Sequence, residues 1–137
     1  MAENLMDALS IKTVTVSKEL VIMEMPITNT VKQPMGFLHG GGATVALAET
    51  AASIGGLQHI HPNEQSIAGL EINCNHLKAK KEGWIQAKAS PIHVGKKTMV
   101  WEIKIVDEKE DLLRFHAVHL PLSSFIIHKT EKNRVTR

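Results

Sequence analysis

Between Gly40 and Leu57 the chain is built from Gly, Ala, Thr, Val, Leu, Ser and Ile, with a single charge at Glu49. Its length, about 16 residues, favours a helix over a strand, and Gly55-Gly56 reads as the C-terminal stop. A helix that is apolar all round is a buried helix. The rest of the chain therefore has to enclose this segment, and its small side chains let the enclosing layer come close.

The remaining sequence supplies strands for that purpose. Residues 11–17 alternate as Ile11-Lys12-Thr13-Val14-Thr15-Val16-Ser17, and 20–27 are β-branched or methionine-rich, so the two read as a hairpin turning at Ser17-Lys18-Glu19. Asn29 to Leu38 contains Pro34 and Gly36, lacks either period, and reads as a loop. After a polar loop holding His59, His61, Pro62 and Asn63, strand-like segments are expected at roughly 66–78, 84–94, 97–107 and 112–128. Met99, Trp101, Ile103 and Ile105 share one face of theirs, and Glu102 and Lys104 take the other. The class is α+β, with an antiparallel sheet buried on one face.

The chain has 137 residues, 43% hydrophobic and 22% charged, which suits one domain over 1–128 followed by a polar tail, 129–137, expected to be solvated or frayed. Nine glycines accompany only Phe37, Phe115, Phe125, Trp84 and Trp101 as Phe/Trp and no tyrosine, so the core relies on small and aliphatic side chains. The single cysteine, Cys74, excludes an intrachain disulfide and favours a reducing, cytoplasmic setting. Met1-Ala2-Glu3-Asn4 lacks the positive charge and apolar region of a signal peptide, and no charge-free apolar run reaches the roughly 18 residues of a membrane span. A formal charge of +2 is too slight to mark a nucleic-acid binder.

A carboxylate inside an uncharged, small-residue helix must be desolvated, paired or exposed to a cleft, which makes Glu49 the first candidate for chemistry. The second is His39-Gly40-Gly41-Gly42 at the helix start: its first-turn N–H groups and positive dipole end can hold an anion or a developing oxyanion, and glycines admit a ligand to the backbone. Gln33 and His39 flank a short link, so both side chains can lie near that terminus, and either can donate to a carbonyl or hold a water. Ser53, four residues after Glu49, lies on the same helix face. His59 and His61 form the best histidine pair, but without a Cys pair or HExxH-type spacing no metal site is expected. His116 and His119, three apart on a strand, face opposite sides of the sheet. His93, Lys96, Lys97, Lys78, Lys80 and Lys81 put basic residues at two strand ends, as a solvated edge or a phosphate-binding rim.

Taken together, Gln33-Pro34-Met35-Gly36-Phe37-Leu38-His39-Gly40-Gly41, Ala46-Leu47-Ala48-Glu49-Thr50, Gly69-Leu70-Glu71-Ile72-Asn73-Cys74-Asn75-His76-Leu77 and Pro91-Ile92-His93-Val94-Gly95-Lys96 resemble the hotdog-fold acyl-CoA thioesterases of the phenylacetate and 4-hydroxybenzoyl-CoA type. The resemblance covers roughly residues 10 to 115 and rests on the motifs occurring in order. It implies a long central helix wrapped by an antiparallel sheet of five to six strands, protomers that join their sheets as homodimers, and dimers that pair into tetramers. It implies Glu49 as general base or nucleophile, Gly41 or its neighbour as the backbone donor to the thioester carbonyl, and Gln33 and His39 positioning thioester and water opposite Glu49 of the other subunit. Gly40, Phe37 and Ser53 would border the substrate, and His93, Gly95, Lys96 and Lys97 would meet the coenzyme A phosphates. Coenzyme A enters as part of the substrate, with no metal and no other cofactor. Close relatives of this motif set serve menaquinone biosynthesis, hydrolysing dihydroxynaphthoyl-CoA.

Two departures from the family pattern stand out. The family usually has nine positions from the histidine to the glutamate, and here His39 to Glu49 spans ten. One extra residue within an α-helix would turn Glu49 by about 100°, so the catalytic assignment of Glu49 requires that Gly40 to Gly42 absorb it in the loop before the first turn. The other is Arg114-Phe115-His116-Ala117-Val118-His119-Leu120-Pro121, which does not match the family's last strand and carries a proline unsuited to a central strand. A non-catalytic acyl-CoA-binding hotdog module is the alternative reading, and a hotdog dehydratase with His39 as base is the third.

Overall fold

The computed structural model describes residues 4–61, 63–69, 71–124, 126–128 and 134–136. A short helix α1, Leu5–Ala8, is capped by the Asn4 side chain and is too brief to show a period in the sequence. The expected hairpin follows as β1, Lys12–Val16, and β2, Val21–Pro26, paired antiparallel. Ser17 makes its turn, because its hydroxyl accepts from the Leu20 amide at 3.0 Å and donates to the Leu20 carbonyl.

The expected Gly40–Leu57 helix divides in two. Gly40–Thr44 is a π-helical turn, and the α-helix proper, α2, runs Val45–Leu57. Gly55 and Gly56 lie inside α2 rather than stopping it, and the helix ends at Gln58, whose amide donates back into the last turn. Both glycines are buried against the sheet: a Cβ on Gly55 would stand 2.5 Å from Trp101 Cη2, and one on Gly56 would stand 2.8 Å from Ile67 Cδ1 and 2.9 Å from Leu120 Cδ1. They permit a close approach, and that is their role.

Five more strands form the main sheet: β3 (Gln65–Ile67), β4 (Glu71–His76), β5 (Trp84–Val94), β6 (Thr98–Val106) and β7 (Leu112–Ser124). The order is β1-β2-β5-β6-β7, every pair antiparallel, with β3 and β4 following one another along the outer edge of β7. The sheet thus has seven strands, not five to six, because the one strand expected over 66–78 breaks into β3 and β4. Pro121 falls at that break, between Leu122, opposite Ile67, and His119, opposite Glu71, so it removes no ladder bond on that side. The strand expected over 112–128 ends at Ser124, and β8 (Ile126–His128) pairs with β9 (Arg134–Thr136) as a separate sheet. Arg134–Thr136 is therefore a strand within the tail expected to fray, and the rest of 129–137 lies outside the described residues, as do Pro62 and Leu70.

One stripe of α2, Leu47, Ala48, Ala51, Ala52, Gly55 and Gly56, is buried in the curl of the sheet against Val21, Met23, Ile85, Ala87, Ala89, Met99, Trp101 and Ile103. The opposite stripe is only half-buried in the single chain. The expectation of a helix buried all round therefore fails on one side, the side that carries Glu49 and Ser53. No helix among the described residues is long and apolar enough to cross a membrane. The Gly55 contact yields a quantitative expectation: alanine gains about 1 kcal/mol of helix propensity, but overpacking against a fully buried indole costs about 1–3 kcal/mol. Gly55→Ala is expected to lower stability in urea unfolding, and a variant as stable as the parent would show the Trp101 contact to be loose.

Candidate active site

The Gln33–His39 loop is tied down by backbone bonds before it reaches the helix. The Gly36 amide donates to the Gln33 carbonyl at 2.9 Å, and the Gln33 amide donates to the Phe37 carbonyl at 2.8 Å. Gly36 has φ +88°, the left-handed region that favours glycine. Leu38 and His39 are held by donating to the Lys80 and Val31 carbonyls, each at 2.8 Å. The Gln33 side-chain oxygen accepts from the Met35 amide, and its NH₂ group has no acceptor among the described residues.

His39 caps the π turn. Its Nδ1 accepts from the Gly42 amide at 2.8 Å, and its carbonyl accepts from both Ala43, at 3.0 Å, and Thr44, at 3.4 Å. With Nδ1 accepting, the neutral ring carries its proton on Nε2. The second carbonyl bond spans five residues, the spacing that makes a turn π rather than α. A widened first turn, Gly40–Thr44, thus lies between His39 and α2, where an additional residue can be accommodated ahead of the α-helix. The N–H groups of Gly40 and Gly41 find no acceptor among the described residues and stand at the positive end of the helix.

Three grooves border this turn: one of about 360 Å³ between α1, Val31 and His39, and two that hold the other candidate residues. Gln33, Phe37, His39, Gly40 and Gly41 line one of about 410 Å³, together with His76, Ala79 and Arg114. Glu49 and Ser53 line the other, of about 470 Å³, with Leu5, Gly42, Val45, Ala46, Thr50 and Ile54. Glu49 has no hydrogen bond or ion pair among the described residues, so of the three fates open to it the structure selects exposure to a cleft. Its carboxylate rests against Gly69 at the β3–β4 break, and a Cβ there would collide with its Oε2. Within one chain the expected catalytic set is therefore divided between two sides of the helix start.

Of the basic residues, Lys80 and Lys81 adjoin the Gln33–His39 loop, with Lys81 Nζ 4.8 Å from the centre of the Phe37 ring. His93, near the end of β5, and Gly95, Lys96 and Lys97 of the β5–β6 turn stand elsewhere, where the Gly95 amide donates to the Thr98 carbonyl and the Lys97 carbonyl accepts from Leu122. Leu122 pairs with Ile67, whose side chain covers Gly56, so this turn lies at the far end of α2 from His39. His59 bonds the Lys18 carbonyl through Nε2 at 2.7 Å and sets its ring edge-on to Trp101, a structural role. No group of three or more His, Cys, Asp or Glu among the described residues is placed to hold a metal ion.

The structure adds four polar residues that the sequence analysis did not assign to a site. On the concave face of the sheet, Arg114 lies opposite His76 and His116 opposite Cys74. Arg114 Nε donates to His76 Nδ1 at 2.8 Å, and His76 Nε2 lies 3.0 Å from Cys74 Sγ. The signal was available in the period of two, since Val118 and Leu120 point inward and carry Arg114 and His116 with them. Burial, then the nearby His76 and Arg114, push the His116 pKa down to about 4. The unfolded chain then binds more protons than the folded one between the ordinary histidine value and about 4, so the stabilising contribution is lost as pH falls through that window. NMR titration is expected to show a His116 ring still neutral at pH 5.5, and His116→Gln is expected to flatten the acid loss of stability. An ordinary titration near 6.5 would contradict this.

Comparison with known proteins agrees with the geometry. A model of the thioesterase superfamily matches residues 35–113. The chain is 50% identical over 109 residues to the 1,4-dihydroxy-2-naphthoyl-CoA hydrolase of Listeria monocytogenes, covering 80% of this chain and 87% of that one. It is 39% identical over 106 residues to the 1,4-dihydroxy-2-naphthoyl-CoA hydrolase of Escherichia coli K12, covering 77% and 76%. Among solved structures, thioesterase enzyme SAV0944 from Staphylococcus aureus superposes with a TM-score of 0.84 at 39% identity, covering 87% of this chain and 98% of that one. It has been solved with a glutamine, and separately with a glutamate, replaced by alanine. The chain belongs to the thioesterase superfamily and has its hotdog fold.

Proposed function

We propose that the chain is an acyl-CoA thioesterase, hydrolysing an aromatic or medium-sized acyl-CoA to the free acid and coenzyme A at a site shared between two copies. The observation that carries this reading is the division of the polar groups. An unpaired carboxylate stands on the open face of α2, while the free Gly40 and Gly41 N–H groups and the Gln33 amide stand in a separate groove. A second copy applied to the open helix face covers Val45, Ala46 and Ile54 and brings its Glu49 to the Gly41 groove. Pairing of such dimers into tetramers belongs to the same proposal, as does a cytoplasmic setting, which suits the free thiol of Cys74.

In this arrangement the thioester carbonyl accepts from the Gly41 N–H, a donor whose loss costs about 10²–10³ in rate. The Gln33 NH₂ and the His39 Nε2–H orient the thioester and a water beside Phe37. Glu49 of the second copy takes a proton from that water as its oxygen attacks the carbonyl carbon, a contribution of typically 10²–10⁴. In the nucleophilic variant, Glu49 attacks directly and water opens the resulting anhydride. The C–S bond breaks with its electron pair on sulfur, and the thiolate, from a thiol of pKa about 8.5, recovers a proton without a strong general acid. Ser53 borders the acyl group, and His93, Gly95, Lys96 and Lys97 meet the coenzyme phosphates as salt-sensitive point charges. The reaction as written uses side chains, backbone and water, with no cofactor.

The relatives in Listeria and E. coli make 1,4-dihydroxy-2-naphthoyl-CoA the first substrate to assay. Glu49→Gln is expected to lower thiol release at least about 10²-fold with the oligomer intact. Mixing Glu49→Gln with Gln33→Ala chains is expected to restore about a quarter of the parent rate, because half of the sites in a mixed dimer are whole. No recovery on subunit exchange would sink the shared site, and coenzyme A binding without thiol release would leave a non-catalytic binding module. Gly69→Ala, which displaces the Glu49 carboxylate, is expected to slow turnover by roughly 10–10²-fold, with a small change in the unfolding midpoint. An unchanged rate would show that Gly69 does not position Glu49.

A further inference from the structure

The concave face of the sheet is apolar along β6, where Ile105, Ile103, Trp101 and Met99 are fully buried. Their partners on β7 are Arg114, His116, Val118 and Leu120, so the lining turns polar at one end, beneath the glycine turn. Arg114 is 4% exposed, its Nε is spent on His76, and its buried Nη1 has no hydrogen-bond partner among the described residues. The ion pairs among the described residues are Lys80–Glu108 and Lys88–Glu110, and neither reaches it. Among the described residues, the groove that Arg114 lines contains no carboxylate.

A buried cation left unpaired costs several kcal/mol, and no acid among the described residues of the same chain pairs with it; the Glu49 that a second copy brings to this groove is engaged with the attacking water in the proposed reaction. The guanidinium is nevertheless held in one pose. His76 accepts from Nε, and its ring fills the space that a Cβ on Gly40 would need. Arg114 is thus braced through His76 against the turn that carries the Gly41 N–H. With Nε engaged, the fork that remains, Nη1 and Nη2, has the geometry that planar carboxylates accept from arginine. The groove volume, about 410 Å³, is that of a small-molecule site.

We infer that Arg114 is a carboxylate-recognition residue at the floor of the Gly41 groove, one that reads a carboxylate on the bound acyl compound. This rests on the thioesterase reading for the identity of the ligand, and on the groove alone for the presence of an anion site. The carboxylate has two sources in such a reaction. It is a second acid group on the acyl chain of the substrate, or it is the acid released by hydrolysis.

The test compares the parent with Arg114→Met, which keeps length without charge and is a tolerated kind of replacement for a buried ion, and with Arg114→Lys, which keeps charge without the fork. Thiol release is measured from glutaryl-CoA and pentanoyl-CoA, which match in chain length, and product inhibition is measured with pentanoate and 1,4-dihydroxy-2-naphthoate. If the acyl substituent is read, the glutaryl-to-pentanoyl ratio of kcat/KM falls at least about tenfold in Arg114→Met and about half as far, on a logarithmic scale, in Arg114→Lys. If the product is read, that ratio holds and the inhibition constants of the acids weaken by about the same factor. Equal changes for both substrates with unchanged inhibition would overturn the inference and leave Arg114 a structural residue. If the parent releases no thiol from any acyl-CoA, the thioesterase reading fails by itself. Calorimetric binding of glutarate to the parent but not to Arg114→Met would still support the anion site, and equal or absent binding would overturn it.

Discussion

The contact of Gly55 and Gly56 with Trp101, Ile67 and Leu120 sets how close α2 lies to the sheet and at what rotation. Everything at the other end of the helix follows from it. With rotation fixed by close packing, Ala48, Ala51 and Ala52 must face the sheet and Glu49 must face away. An additional residue upstream cannot turn the helix, so it is taken up where glycines make the backbone cheap to widen, in Gly40–Thr44. The widened turn is then pinned by His39, which explains a glycine at 42: a Cβ there would stand 2.9 Å from the His39 Nδ1 that accepts its amide.

Much of this was legible in the residues, and the limits have physical causes. Strands β2, β5 and β6 are readable because Val21-Met23-Met25, Ile85-Ala87-Ala89 and Met99 to Ile105 alternate over one buried face, whereas β1 pairs as expected but leaves Val14 and Val16 exposed. The helix is readable because small apolar residues persist too long for a strand. Its first turn is not, since a π turn and an α turn place the same glycines within one bond of each other, and only packing downstream decides between them. The break that separates β3 from β4 is equally silent, because Gly69 is there to make room for Glu49, a contact distant in sequence. On β7 a register shift between Ile105 and Val106 lets Leu113 and Arg114 both turn inward, which blurs the alternation where the polar patch begins.

The electrostatics of the concave face follow from burial more than from pairing. His116 is driven to its neutral form, and His76 is lowered in the same direction by burial and by Arg114. Burial also raises the Cys74 thiol, against the opposing pull of Arg114. All three shifts disfavour the charged form of a group lying beside the one guanidinium. Glu49 stands on the opposite side of the glycine turn, so within one chain this carboxylate and the buried Arg114 are kept apart.

The interruption of the outer edge at residues 68–69 has a consequence for how such sheets meet. A long, flat edge strand offers unpaired amides and carbonyls to any passing chain and invites open-ended stacking. Here that edge is two short pieces, Gln65–Ile67 and Glu71–His76, with the Glu49 carboxylate set into the gap between them. Such an edge is a poor template for indefinite strand addition.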